Sequence, residues 1–301
     1  MQPGRGFLVS SQWKLWYGAG AHPIHLQSPR RRTVIPMLSS MALAIFAASS
    51  FWHPGTASPQ TCDSAFQASS PHSTGVFAAE DGAVCFDDAI TDDSIEHVLN
   101  LLQASVHQPP RLIVRSRGGD AFSGLDLAEF ILEERVEVRI VDVCASSCAN
   151  YVFLPAVHGR SVASGGLILF HGGISIEFVS SARRGVETQL REAGAPDDVI
   201  AAEQARLVGQ IEQGLMRQRA LLDALGLPWD LLEAHHVMSA SVDPDDCVGD
   251  GPAQFTPTTQ WLAHFGLELE GDPLSSIETL AGSPAFAEAN ASLCPLPVFR
   301  D

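Results

Sequence analysis

Apolar and polar positions alternate in short blocks from residue 83 onward, and the blocks switch between two periods. Residues 83–86 and 111–115 are brief apolar runs that read as strands. Residues 92–105 instead place Ile95, Val98, Leu99 and Leu102 on one face of a helix opened by acidic residues. The alternation continues with a helix over 125–134, a strand over 136–143, a helix over 148–154 and a strand over 167–170. Strands and helices in this order predict parallel pairing through right-handed crossovers, an α/β architecture. Past residue 171 the period lengthens. Ile200, Leu207, Ile211, Leu215 and Leu222 predict one long amphipathic helix over 196–224, ended by Gly226 and Pro228. A short helix over 229–236, an acidic loop with Asp243, Asp245, Asp246 and Asp250, and a helix over 257–265 complete a C-terminal helical extension. No internal repeat is present.

The segment before residue 83 follows a different logic. Arg30, Arg31 and Arg32 precede an apolar run over 34–52, and the small residues Gly55, Thr56 and Ala57 follow. This is the layout of a secretory signal, with cleavage expected near Ala57. The run also approaches the length of a membrane helix, so a single uncleaved N-terminal anchor is the alternative. A start at Met37 or Met41 would shorten the unusual stretch ahead of the signal. Residues 58–78, rich in Ser, Pro, Thr and Gln, read as a linker. The expected organisation is a signal or anchor segment over 1–57, a linker over 58–78, one domain over 79–270 and a loosely attached tail over 271–301.

Charge and cysteine content narrow the chemistry. The 301-residue chain has a formal charge of −17, yet residues 1–57 contain five basic residues and no acidic one. Without that segment, 13 basic residues face 35 acidic ones, a balance of −22. Such a surface repels phosphate backbones, so no nucleic-acid partner is expected. All six cysteines, Cys62, Cys85, Cys144, Cys148, Cys247 and Cys294, follow the expected cleavage site, and an even number in an exported chain favours disulfides. No metal is expected: Cys144 and Cys148 lack a second close pair of ligands, and the adjacent His235 and His236 would diverge by about 100° on a helix. No cofactor is expected either. Cys144 and Cys148 would sit near the limit for a bridge inside a regular helix, so packing is favoured unless Cys144 lies outside it.

Three strand ends carry residues suited to acyl chemistry. The strand over 111–115 runs into Ser116-Arg117-Gly118-Gly119-Asp120, where paired glycines let backbone N–H groups turn toward an oxyanion. The strand over 136–143 ends at Cys144-Ala145-Ser146-Ser147-Cys148, a serine pair at the mouth of a helix. A serine there is either an exposed nucleophile with the next N–H as oxyanion donor or an ordinary helix cap. His171 closes the strand over 167–170 and is followed by Gly172 and Gly173. Carboxyl ends of successive parallel strands are where an open α/β sheet gathers its ligand site.

These segments resemble the ClpP-like branch of the ClpP/crotonase superfamily over roughly residues 80–267. Ser116-Arg117-Gly118-Gly119 matches the Ser-x-Gly-Gly oxyanion loop, 144–148 the serine elbow of exported relatives with Cys-x-Ser-x-Cys, and His171 the base. The resemblance implies a spiral of ββα units with a parallel sheet, and an exported, periplasmic serine hydrolase, a peptidase, acting on a peptide or small acyl substrate. It implies that Gly118 and Gly119 line the oxyanion hole and that His171 takes the serine proton. Alignment on Cys-x-Ser-x-Cys selects Ser146, 25 residues before His171, whereas alignment through Tyr151 and Pro155-Ala156 selects Ser147. The third triad member departs from the family. Phe255-Thr256-Pro257 resembles the stretch after the family's aspartate, but Ala253 stands two residues before Phe255, leaving Asp250 as the nearest substitute. The site is then a dyad, a degenerate triad or a silent relic in a binding or scaffold protein. Acyl-CoA chemistry of the crotonase kind would use the same oxyanion loop, but the export segment and acidic surface speak against it. The resemblance also implies assembly into homo-oligomers, for which the helix over 196–224 offers apolar surface.

Overall fold

The computed structural model describes residues 13–15, 24–26, 61–68, 74–170, 172–232, 253–257, 259–267, 269 and 292–295. His171 and Asp250 lie outside the described residues. So do the apolar run at 34–52, Ala57, His235, His236 and most of 271–301. Ahead of the domain, β1 (Trp13–Leu15) pairs antiparallel with β2 (Ile24–Leu26). No helix among the described residues is long and apolar enough to cross a membrane.

One mixed, mostly parallel sheet organises the rest. Its order is β3 (Gly75–Ala78), β4 (Val84–Asp87), β5 (Arg111–Ser116), β6 (Glu137–Ala145) and β7 (Arg160–Val162), with β8 (Leu167–Leu169) also pairing β6. Only β3 runs antiparallel to its neighbour, so the expected α/β class with parallel pairing holds. The period of two along each strand decides what each face meets. Val84, Phe86, Leu112 and Val114 face the main core with Ile95, Val98 and Leu102 of α2 (Asp92–Gln103) and Leu125, Leu127, Ala128 and Ile131 of α3 (Ala121–Glu133). Cys85 and Ile113 face a smaller cluster on the opposite side.

That smaller cluster is closed by α1 (Cys62–Gln67), which falls inside the segment read as a linker. Cys62, Ala65 and Phe66 form an i, i+3, i+4 stripe too short to register as periodicity. Thr61 and Ser64 close a capping box at its start, which contributes about 1 kcal/mol. A Cys62–Cys85 disulfide bonds α1 to β4, and Arg139 pairs with Asp63 at 2.8 Å. Arg115, 2 % exposed, grips Asp87 with both Nε and Nη2 at 2.8 Å and donates from Nη1 to the Phe66 carbonyl (2.7 Å). Removing one partner of such a buried pair costs about 3–5 kcal/mol. Ordered structure therefore begins well before residue 83.

After β8 the chain forms a helical hairpin, α4 (Ile176–Glu192) and α5 (Asp197–Leu225), the second ended by Gly226 in the left-handed conformation (φ 67°). Of the helix expected over 229–236, the described residues hold a 3-10 turn over Trp229–Leu231, and 233–236 lie outside them. The helix expected over 257–265 is observed as α6 (Thr259–His264). Beside it, β9 (Ala253–Thr256) pairs parallel with β10 (Ser292–Pro295), within the region read as a tail.

Candidate active site

The site begins with a bend in β6. Asp142 has φ 60°, and the β5–β6 register shifts between Val114 and Ser116. Such a bulge re-aims the end of a strand. The first half of β6 pairs β7 at Val138, Arg139 and Ile140, and the second half pairs β8 at Val143, Cys144 and Ala145. Three residues beyond the bend, Ala145 hands over to Ser146, which has φ 58°, a conformation costly for any residue but glycine. The Ser146 N–H donates to the Leu169 carbonyl (2.9 Å), and its own carbonyl accepts from the Asn150 N–H (3.0 Å) as the helix begins. The following turn is π-helical over Ala149–Phe153, a correction to the regular helix expected over 148–154. Cys144 lies on the strand, outside that helix, and a Cys144–Cys148 disulfide closes across the corner (Cα–Cα 5.2 Å). The condition under which packing gave way to bridging is therefore met. Cys294 is also disulfide-bonded, and no described cysteine is free.

The two serines are placed differently. Ser147 is buried and its hydroxyl donates to the Gly119 carbonyl at 2.9 Å. Ser146 is half-buried at the apex of the turn. The Ser147 N–H opens the helix, in the turn where no upstream helical carbonyl can meet it.

Gly118 and Gly119 are pressed between this corner and the chain before α2. The Ile90 N–H donates to the Gly118 carbonyl (3.0 Å) and the Asp120 N–H to the Ile90 carbonyl (2.8 Å). Gly118 has φ 88°, and a Cβ there would stand 2.8 Å from both the Ser146 Cβ and the Ser147 nitrogen. A Cβ on Gly119 would strike the Ile90 backbone. Both glycines are thus required by close approach. The Gly118 N–H donates to Ser116 Oγ (3.1 Å), whose hydroxyl donates to the Asp88 carbonyl (2.7 Å), so this serine shapes the loop. Gly119 uses its carbonyl toward Ser147. Ile90 bonds to the residues on both sides of Gly119, which turns the Gly119 N–H and carbonyl together away from Ile90. The Gly119 N–H meets no acceptor among the described residues.

Asp120 follows at once and caps α3: its Oδ1 accepts from the N–H groups of Phe122 (2.9 Å) and Ser123 (2.8 Å). The helix therefore starts at Ala121, ahead of the expected 125, and Gly124 packs within it against Tyr151. Asp120 Oδ2 is buried with no hydrogen-bond partner, and desolvation raises this carboxyl above its ordinary value despite the Ser123 and Phe122 hydrogen bonds.

On either side of position 171 the chain is tied to the elbow. Leu169 accepts from Ser146, and the Asn150 amide Nδ2 donates to the Gly172 carbonyl at 2.6 Å. Gln218 of α5, fully buried, pairs with both the N–H (2.9 Å) and carbonyl (3.0 Å) of Ile174 and accepts from the Tyr151 hydroxyl (2.6 Å). Burial pushes the Tyr151 phenol up, keeping it a neutral donor. The structure thus brings Gly118, Gly119, Ser146 and Ser147 together, while His171 and Asp250 are outside the described residues. Asn150, Asp120 and Gln218 escaped the sequence reading. Gln218 alone had a signal, as the polar position on the α5 stripe between Leu215 and Leu222.

Chemically, the corner offers a serine alcohol beside two amide donors. A lysine base is unavailable in the domain, since Lys14 is the sequence's single lysine. Among the described residues no three His, Cys, Asp or Glu side chains gather as a metal-ligand set. No protein-family model matches the chain, and no curated protein matches it.

Proposed function

We propose that this chain is an exported serine hydrolase with a ClpP/crotonase-like spiral, a peptidase acting in the periplasm, with Ser146 as nucleophile. The observation that carries the reading is the strained, left-handed Ser146 at a strand-to-helix turn, beside a Ser147 whose hydroxyl is committed to Gly119. Such a turn presents the nucleophile and offers the next N–H to the oxyanion. Ser146 Oγ attacks the substrate carbonyl while His171 accepts its proton. The N–H groups of Gly119 and Ser147 receive the developing oxyanion, with Gly118 shaping the loop between them. His171 then returns the proton to the leaving amine or alcohol as the scissile bond breaks, and water releases the acyl group by the same steps in reverse. Asp250 is the remaining carboxylate that could orient the imidazole; without it the pair works as a dyad. The disulfides fit an oxidising, exported compartment. Homo-oligomerisation belongs to the same proposal.

A catalytically silent binding protein of the same fold is the second reading, favoured by Ala253 at the position where the resembled family carries its aspartate. Fluorophosphonate labelling separates the two. The wild-type chain and Ser147→Ala should label, whereas Ser146→Ala should lose labelling and His171→Ala should lose all but a small residue of it. No labelling of the wild type, or labelling that survives Ser146→Ala and His171→Ala together, removes the hydrolase reading.

A further inference from the structure

A non-glycine residue at positive φ persists only where its surroundings over-determine it. Around Ser146 the surroundings include a covalent ring. Cys144 is fixed in the sheet, opposite Ser116 of β5 and Ile168 of β8, and Cys148 stands at the start of the helix. The bond between them closes a loop of sequence separation 4 with Ser146 at its centre, and both cysteines are wholly buried in the main core. A loop this short restrains few unfolded conformations compared with the separation of 23 closed by Cys62–Cys85. Its effect is therefore concentrated on the geometry of the corner.

We infer that the Cys144–Cys148 disulfide is a positioning device for the nucleophile: it holds Ser146 in the left-handed conformation, so that the corner reaches its full reactivity only in the oxidised chain. Forming the bond removes two electrons and two protons from the two thiols. An oxidised dithiol carrier takes them up by thiol–disulfide exchange and leaves as the dithiol. The site would then be assembled by the same oxidation that accompanies export. The catalytic half of this inference rests on the hydrolase reading; the conformational half does not.

The test compares the wild type with Cys144→Ala/Cys148→Ala and with Cys62→Ala/Cys85→Ala, whose cysteines lie in the separate cluster behind the sheet. For each, the second-order rate of fluorophosphonate labelling is read beside the thermal unfolding transition. The staple-free variant should remain folded and label about tenfold more slowly, the factor that corresponds to about 1.4 kcal/mol of backbone preference released. The control pair should label at the wild-type rate. Equal rates in the staple-free variant and the wild type overturn the inference. If the wild type itself fails to label, the hydrolase reading falls, and a crystal structure of the staple-free variant decides: a negative φ at Ser146 supports the inference, and φ retained near +60° overturns it. Should that variant not fold, a chain carrying Cys62→Ala, Cys85→Ala, Cys247→Ala and Cys294→Ala, which retains only Cys144 and Cys148, is reduced with dithiothreitol and then reoxidised. Loss and recovery of labelling, or of the Ser146 conformation, are judged by the same criteria.

Discussion

Asp120 shows how a single side chain beside the glycine pair can set a pH dependence. Its Oδ1 caps α3, while its buried Oδ2 meets no donor, and desolvation raises its pKa above 3.8. A carboxyl raised in this way binds its proton more tightly folded than unfolded. Stability therefore falls as pH rises from 3.8 through the elevated value, and the full loss persists above it. Asp120→Asn keeps an oxygen for the Phe122 and Ser123 amides and removes the titration. It should gain on the wild type as pH rises, the gap widening by about 1.4 kcal/mol for each pH unit of that window. Urea denaturation from acid to neutral pH reads this directly, and parallel curves for the two proteins would refute it. The glycines were legible as candidates because a pair at a strand end marks either a turn or a close approach. Asp120 was not, since nothing in a sequence states which oxygen of a helix cap is cut off from water.

At the scale of elements, α5 does more than cover the core. Gln218 joins the helix that follows Ser146, through Tyr151, to the strand exit at Ile174, and Gly173 lacks room for a side chain because this amide occupies it. Gln218→Leu fits the apolar stripe by size yet strands three buried polar groups. A loss of about 3 kcal/mol is expected from denaturant unfolding, together with faster hydrogen exchange at the Ile174 amide. Long periodic elements such as α2, α3 and α5 were readable from their stripes. Shorter or more highly charged elements were not, for physical reasons. The three-residue β7 is too short to show a period, and α4 carries Gly185 and a string of charges that blur one. α1 owes its place to a disulfide and to Arg115, partners distant in sequence. The elbow itself was half legible: two serines between two cysteines marked the corner. The proposed preference for Ser146 rests on its φ and on the bond from Ser147 to Gly119, neither of which a sequence states.

For the whole molecule, the sheet has one face packed by α2 and α3 and another closed by α1, where a disulfide and two arginines accompany a small apolar cluster. Cys62→Ala/Cys85→Ala should lower unfolding free energy by about 2–4 kcal/mol, measured by denaturant midpoint at constant slope. Retention of wild-type stability would mean that Arg115 and Arg139 alone suffice to hold α1. The same bond also fixes how the domain bears tension. A pull applied upstream of Thr61 passes from Cys62 straight into β4 at Cys85, so β3 and its flanks form a slack bight outside the load path. Under a stretching force, cutting that bond should release hidden contour of about 80 Å, the reach of the 23-residue separation at roughly 3.5 Å per residue.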